Sequence, residues 1–367
     1  MSRVRSYIWT AIFGLLMLAG GYAVFLRFVY GLGAATNLSD QFPWGLWVGF
    51  DVLTGVGLAA GGFTLVATVH IFNIETYKPM LRPAILTALL GYLLVVAALL
   101  IDLGRPWYIW HPMVMWNHHS VMFEVAWCVT LYTTVLSLEF SPAIFEYLGW
   151  HVPLKAIHAI SVPLMIAGVL LSVLHQSSLG TVYLIAPERL HPLWYSPMLP
   201  LFFFLSSVAV GLAMTIFESW HSSRAFSRRL ELPLLQGMGR LLAVILSFYI
   251  VLRFADLATR GSLRYVFEGS LESWLFVVEV LLMLLPALLL FQTRIHENPS
   301  SLYGCAVLAV FGFVTNRLNV SITGVERTSG THYIPRWTEV AVTLAIIAFG
   351  FAVFRLAVKK LPIFAEA

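Results

Sequence analysis

Asp51, Asp102, Glu124, His175, Arg253, Asp256 and Glu279 fall inside or at the edges of long apolar runs, with Glu218 set apart from the others. A charge in hydrocarbon costs at least a few kcal/mol, so an ionisable side chain in such a run is a functional hypothesis by default. Carboxyls, an imidazole and a guanidinium are the groups that donate, accept and relay protons and steady developing negative charge. Tyr92, near the middle of its run, and Glu218 could continue a polar line across the same layer. Local pairing is the plainer account of any one of them: Arg253 one turn from Asp256, Asp102 near Arg105, Glu124 on neighbouring backbone. It serves poorly for the whole set, because several desolvation penalties would then be carried without use.

The elements that must hold these groups follow from composition. Of 367 residues 59% are hydrophobic and 11% charged, and mean hydropathy is +0.85. A soluble domain is roughly 45–50% apolar and about 25% charged, so a soluble globule, a disordered chain and a disulfide scaffold are excluded. Runs of about 20 apolar residues read as membrane-spanning helices. Ten such runs occupy 8–30, 45–72, 83–103, 121–140, 154–174, 197–220, 241–258, 273–292, 302–315 and 337–358. The expectation is an all-α polytopic protein, one integral membrane domain over 1–367, with both termini on one side. Lys and Arg orient it: thirteen, from Arg3 and Arg5 to Lys359 and Lys360, fall on the side of the termini. Seven fall on the other: Arg105, Arg189, Arg260, Arg264, Arg317, Arg327 and Arg336. Positive loops stay cytoplasmic, so both termini are expected there. In that orientation Asp51 and Glu124 lie a turn or two below the outer ends of their helices. Asp102, His175, Arg253 and Asp256 lie near outer ends as well, which gathers the ionisable groups in the outer leaflet.

Other chemistry is narrowed by what the chain carries. The formal charge of +4 is accounted for by topology, so no nucleic-acid partner is expected. Cys128 and Cys305 are too few to ligate an iron–sulfur cluster, which places any cluster in a partner subunit. A membrane b-type haem needs two imidazoles at matching depth; His70 and His158 are the one candidate pair, and interfacial imidazoles are the preferred account of both. No haem is expected in this chain. Gly57 and Gly61 have the small-xxx-small spacing of close helix packing. A secondary transporter also uses about ten helices and intramembrane charges, but its site lies at the midplane on broken helices, and this set lies near one face.

The stretches Phe42-Pro-Trp-Gly-Leu-Trp-Val-Gly-Phe-Asp51, Ile101-Asp-Leu-Gly-Arg-Pro-Trp107, Ser120-Val-Met-Phe-Glu124, His175-Gln-Ser-Ser-Leu-Gly180, His191-Pro-Leu-Trp194, Val251-Leu-Arg-Phe-Ala-Asp256 and Asn316-Arg-Leu-Asn319 span nearly the whole chain. Together they resemble the NrfD/PsrC (polysulfide reductase) family of integral membrane subunits. Ten helices rather than eight are most similar to its HybB-type branch, the membrane subunits of periplasmic nickel–iron hydrogenases.

The resemblance implies two four-helix bundles plus two additional helices in the bacterial inner membrane. It also implies a metal-free subunit that exchanges electrons between a periplasmic ferredoxin-like iron–sulfur subunit and a membrane quinone, menaquinone ahead of ubiquinone. The iron–sulfur subunit would belong to an enzyme such as a nickel–iron hydrogenase. Positions matching Asp51, Asp102, Glu124, His175 and Arg253 become candidates for the quinone pocket and its proton supply. Trp47 and His119 join Glu124 and His175 as candidate quinone contacts, and Tyr92 and Glu218 mark a proton path toward the cytoplasm. Quinone reduction takes two electrons and two protons, so it needs an apolar slot, donors to the ring oxygens and a relay. Glu124 is the first choice for proton donor, His175 for the second donor, Arg253 for stabilising negative charge, and Asp51 or Asp102 for holding them. A haem-carrying cytochrome b subunit and a secondary transporter are the alternatives.

Overall fold

In hydrocarbon a backbone can satisfy its own N–H and C=O groups only within helices or a closed barrel. Apolar runs of this length therefore become helices, and the computed structural model describes residues 2–364 as helices and connecting turns, with side chains from Tyr7 onward. No strand occurs among the described residues. Among the described residues ten helices are long and apolar enough to span a membrane: α1 Tyr7–Tyr30, α2 Trp47–Ile71, α3 Glu75–Asp102, α4 Val121–Leu148, α5 Ser161–Val182, α6 Leu199–Ala225, α7 Leu232–Thr259, α8 Leu271–Leu289, α9 Pro299–Ser329 and α10 Trp337–Lys360. The end holding the starts of α2, α4, α6, α8 and α10 is called outer below, after the charge bias. That bias draws in part on Arg3 and Arg5, whose side chains lie outside the described residues.

Local chemistry sets several helix starts. Ser120 and Ser270 cap α4 and α8 by accepting from Phe123 and Ser273 backbone N–H at 3.4 and 3.2 Å. Asn298 caps α9 through Ser300 N–H at 2.9 Å. Such caps satisfy backbone donors that a helix leaves unpaired at its start. Packing then follows the buried faces. α2 and α6 are the most deeply buried helices, and they touch each other. α2 also meets α3, α5, α9 and α10, while α6 meets α5, α7 and α9. α1 packs along α10. The contact between α2 and α6 is glycine-dependent: a Cβ on Gly211 would come within 2.9 Å of the backbone of Ala60, and one on Gly61 within 3.2 Å of Gly211 O. The close packing expected of Gly57 and Gly61 holds, with Gly61 against α6 and Gly57 under the Phe313 ring of α9.

Several helices run eight or more residues past the expected bounds, and two of these departures move site residues. Residues 154–159 belong to a separate helix, His151–Ala159, and α5 runs eight residues further outward than the hydropathy run. His175 therefore lies seven residues, roughly 10 Å, inside the outer end of α5 rather than near it. α9 continues through Asn316, Arg317 and Asn319 to Ser329. Arg317, assigned above to an outer loop, is buried within the helix at 1% exposure. Polar side chains that face other helices rather than lipid do not end a span, and moving Arg317 out of the outer set sharpens the charge bias.

Candidate functional site

At the outer end an apolar slot of about 290 Å³ opens between the segment before α2, the start of α4, the end of α5 and the outer part of α9. Phe42, Trp44, Met122, Tyr183, Leu190 and Val325 line most of it, with Arg189 and Ser321 also at its wall. Ligand pockets run from roughly 300 to 1,000 Å³, so this one is sized for a flat ring rather than a whole lipid. Phe42 stacks on Tyr333, centroids 4.8 Å apart, and Trp44 meets Tyr183 edge to face at 5.9 Å. The Tyr183 hydroxyl is buried without a hydrogen-bond partner, and burial pushes its ionisation well above the usual phenol range. Tyr183 thus stands in the slot wall with its hydroxyl proton uncommitted. Ser321 lies in a π-helical turn of α9, Asn319–Thr323, which packs against the π-helical start of α2, Trp47–Thr54. Gly49 of that start sits against Ser321, where a side chain would not fit. Single π-turns recur at functional sites because they widen a helix locally.

The segment 190–196 is braced from beneath. The Trp194 indole donates to Glu279 of α8 at 2.8 Å, and Asn316 and Asn319 of α9 donate to the same carboxylate at 2.7 and 2.8 Å. Arg317 donates to Asn316 Oδ1 at 2.7 Å and to Ser206 of α6 at 2.9 Å, its guanidinium lying between the rings of Phe203 and Phe313. Arg253 donates to Leu193 O at 2.7 Å, and Asp256 pairs with Arg260 at 2.7 Å while accepting from Ser196 at 2.8 Å. The Arg253–Asp256 pair raised as a local account thus does not form; each holds the 190–196 segment separately. Above it, burial and the Arg327 guanidinium hold the His191 imidazole below its usual range.

The expected residues occupy several distinct places. Asp51 accepts from Thr343 of α10 at 2.7 Å and lies near enough to Asp102 to repel it. Asp102 stands beside Arg27 of α1, not Arg105, and the Arg27 guanidinium donates to Ile101 O at 2.6 Å. Trp47 is buried, its ring N–H donating to Glu339 O at 3.1 Å. These three fasten α1, α2, α3 and α10. His175 is fully buried on α5, its ring centroid 5.6 Å from that of Tyr92. Glu218 accepts from Thr87 of α3 at 2.8 Å, toward the inner end of α6. Glu124 is exposed in the first turn of α4 instead of buried, and His119 is exposed in the outer loop. His70 and His158 are both exposed near the inner end. The structure brings together Asp51 with Asp102, and Tyr92 with His175; Glu124, Arg253 and Glu218 each stand in a different neighbourhood. Tyr183, Trp194, Arg317 and Ser321 join the site unexpectedly: Trp194 and Arg317 lie within the family-like stretches 191–194 and 316–319, and Ser321 and Tyr183 lie two and three residues past such stretches.

A family model described as polysulphide reductase, NrfD, matches residues 34–328. The chain is similar, at 37% identity over 96% of its length and 91% of the relative's, to the probable Ni/Fe-hydrogenase 2 b-type cytochrome subunit of Escherichia coli K12. It is also similar to the menaquinone reductase integral membrane subunit of Nitratidesulfovibrio vulgaris Hildenborough, at 29% identity over 95% of the chain and 89% of the relative.

Proposed function

Since this chain belongs to the polysulphide reductase NrfD family, we propose that it is the quinone-reactive membrane subunit of a respiratory oxidoreductase complex in the bacterial inner membrane. In this reading both termini are cytoplasmic, the outer face is periplasmic, and an iron–sulfur subunit docks there, that of a nickel–iron hydrogenase first among candidates. The chain itself carries no haem, and its partner in the membrane is menaquinone rather than ubiquinone. The relatives' names, one a hydrogenase subunit and one a menaquinone reductase subunit, support this assignment.

The observation that carries it is the outer slot, walled almost wholly by apolar side chains, with Tyr183 in that wall and its hydroxyl buried and unpartnered. A quinone ring needs that combination: apolar walls for its faces and a donor for an oxygen. Arg253, Glu279 and Arg317 then act indirectly, by fixing segment 190–196 and the α9 π-turn beside the slot, while Asp51 holds α2 against α10 and Asp102, beside Arg27, holds α3 against α1. Exposed Trp107, Trp110, Trp116 and Met122 form the apolar outer surface that a docked subunit would cover, and Glu124, exposed in the first turn of α4, would then be shielded from water as a proton donor. His175 is the buried acid–base group behind it.

The test is turnover of the assembled complex with a short-chain naphthoquinone, comparing wild type with Tyr183→Phe. Loss of one donor to a ring oxygen should lower kcat/KM about 10- to 100-fold while leaving assembly intact. A wild-type complex that passes no electrons to quinone would end the assignment.

A further inference from the structure

Buried polar atoms that find no hydrogen-bond partner gather on α3, α4 and α5. Tyr92 Oη, both ring nitrogens of His175, Ser172 Oγ, Thr133 Oγ1 and Glu139 Oε1 are all in this state. Such an atom is costly to leave dry, and a polar row of this kind is a place where water settles.

Helix register makes the row a line. The Glu139 carboxyl oxygens lie 3.3 and 3.6 Å from the point a Cβ on Gly168 would take, so Glu139 of α4 faces Gly168 of α5. The two helices run antiparallel, and each step back along α4 therefore meets a step forward along α5. Tyr132 comes level with His175, and Ser172 falls one turn inward. Tyr92 of α3 closes on both, its ring centroid 4.7 Å from Tyr132 and 5.6 Å from His175. Glu139 lies two turns, roughly 10 Å, inward of Tyr132. Glu218 also keeps one oxygen unpartnered, but it stands on α6 against Thr87, off this seam.

We propose that Glu139 is the inner carboxyl of a hydrated path that carries protons between α4 and α5, past Ser172 and Tyr132, to Tyr92 and His175. The proposal rests on the quinone assignment above. The ring takes two electrons from the docked iron–sulfur donor and two protons, forming two O–H bonds. One proton leaves the inner water, passes through the Glu139 carboxyl, which is protonated again from the inner side, and reaches the ring by way of His175; the other comes from Glu124, which is protonated again from the outer side.

The experiment uses the assembled complex in liposomes with a pH dye on the inner side. Glu139→Gln should assemble normally and keep the wild-type KM for short-chain naphthoquinone, while kcat and inner-side proton uptake fall tenfold or more. Glu139→Asp should recover most of both. Unchanged kcat and uptake in Glu139→Gln, beside an active wild type, would overturn the path and leave the quinone assignment standing; an inactive wild type would remove both. Glu139→Cys supplies a readout independent of turnover, because Cys128 and Cys305 are buried. A membrane-impermeant thiol reagent should label it from the inner side only, and no inner-side labelling would refute the path.

Discussion

Replacing Glu279 by Gln changes one oxygen to an amide nitrogen, and the surrounding hydrogen bonds leave that nitrogen nowhere to go. Trp194 Nε1 and Asn319 Nδ2 both donate to one carboxylate oxygen, and Asn316 Nδ2 donates to the other. The new amide would turn its oxygen toward the two donors and its NH2 toward Asn316. Asn316 cannot flip to accept, because its own oxygen is held by Arg317 at 2.7 Å. One buried donor pair is left opposed, at a cost of about 1–3 kcal/mol. Glu279→Ala strips Trp194 and Asn316 of their acceptor, leaves Asn319 only Leu275 O at 3.3 Å, and should cost about 2–6 kcal/mol. The assay is thermal unfolding of the detergent-purified complex followed by size exclusion, with wild type, both single variants, Asn316→Asp, and the double variant Glu279→Gln/Asn316→Asp. In the double variant the carboxylate introduced on α9 accepts from the amide introduced on α8 and still accepts from Arg317. It should therefore melt above Glu279→Gln, with a coupling of roughly 1–2 kcal/mol. A Glu279→Gln protein that melts with wild type, or a double variant no better than the sum of its parts, would refute this account of the network.

Gly211→Val should lower the melting temperature and the yield of assembled protein, since its Cβ would meet Ala60 backbone at 2.9 Å; overpacking of this kind costs about 1–3 kcal/mol, and a normal melting curve would show that α2 and α6 can part freely. Glu124→Gln should reduce quinone-linked turnover of the assembled complex about tenfold or more; unchanged turnover would remove Glu124 from the mechanism. The His191 ring sits below its ordinary range, so the folded state binds fewer protons there than the unfolded state. Its contribution is complete above about pH 6.5 and is lost as pH falls below that. Thermal stability should therefore drop from pH 7.5 to 5.5, and His191→Gln should narrow the difference.

The helices were legible because hydrocarbon leaves a long apolar segment no other solution, and all ten runs became helices. Their ends were less so. Hydropathy stops at Asn316 and Arg317 since it scores side chains as though they faced lipid, whereas these face Glu279 and Ser206. It likewise merges 154–159 with α5, which begins anew at Ser161. Residue type found the buried carboxylates, and helical rise gave their approximate depth, but neither says which way a helix turns. Thr343, the partner of Asp51, lies 292 residues along the chain. Tyr183 escaped because an uncharged phenol at a helix end reads as an interfacial anchor; only the burial of its hydroxyl marks it out.

The pairing of α1 with α10 has a consequence for how the protein is made. Asn37 N–H donates to Glu339 at 3.0 Å across 302 residues of chain, and the Tyr333 hydroxyl reaches the same carboxylate. α1 leaves the ribosome about 300 residues before α10 and thus waits in the bilayer until α10 has been translated. During that interval Arg27, Asp51 and Asp102 have one another but lack the helix that completes their surroundings. Nascent chains interrupted before α10 would expose this acidic, half-built corner to lipid, which gives a membrane protease a ready mark by which to tell unfinished copies from finished ones.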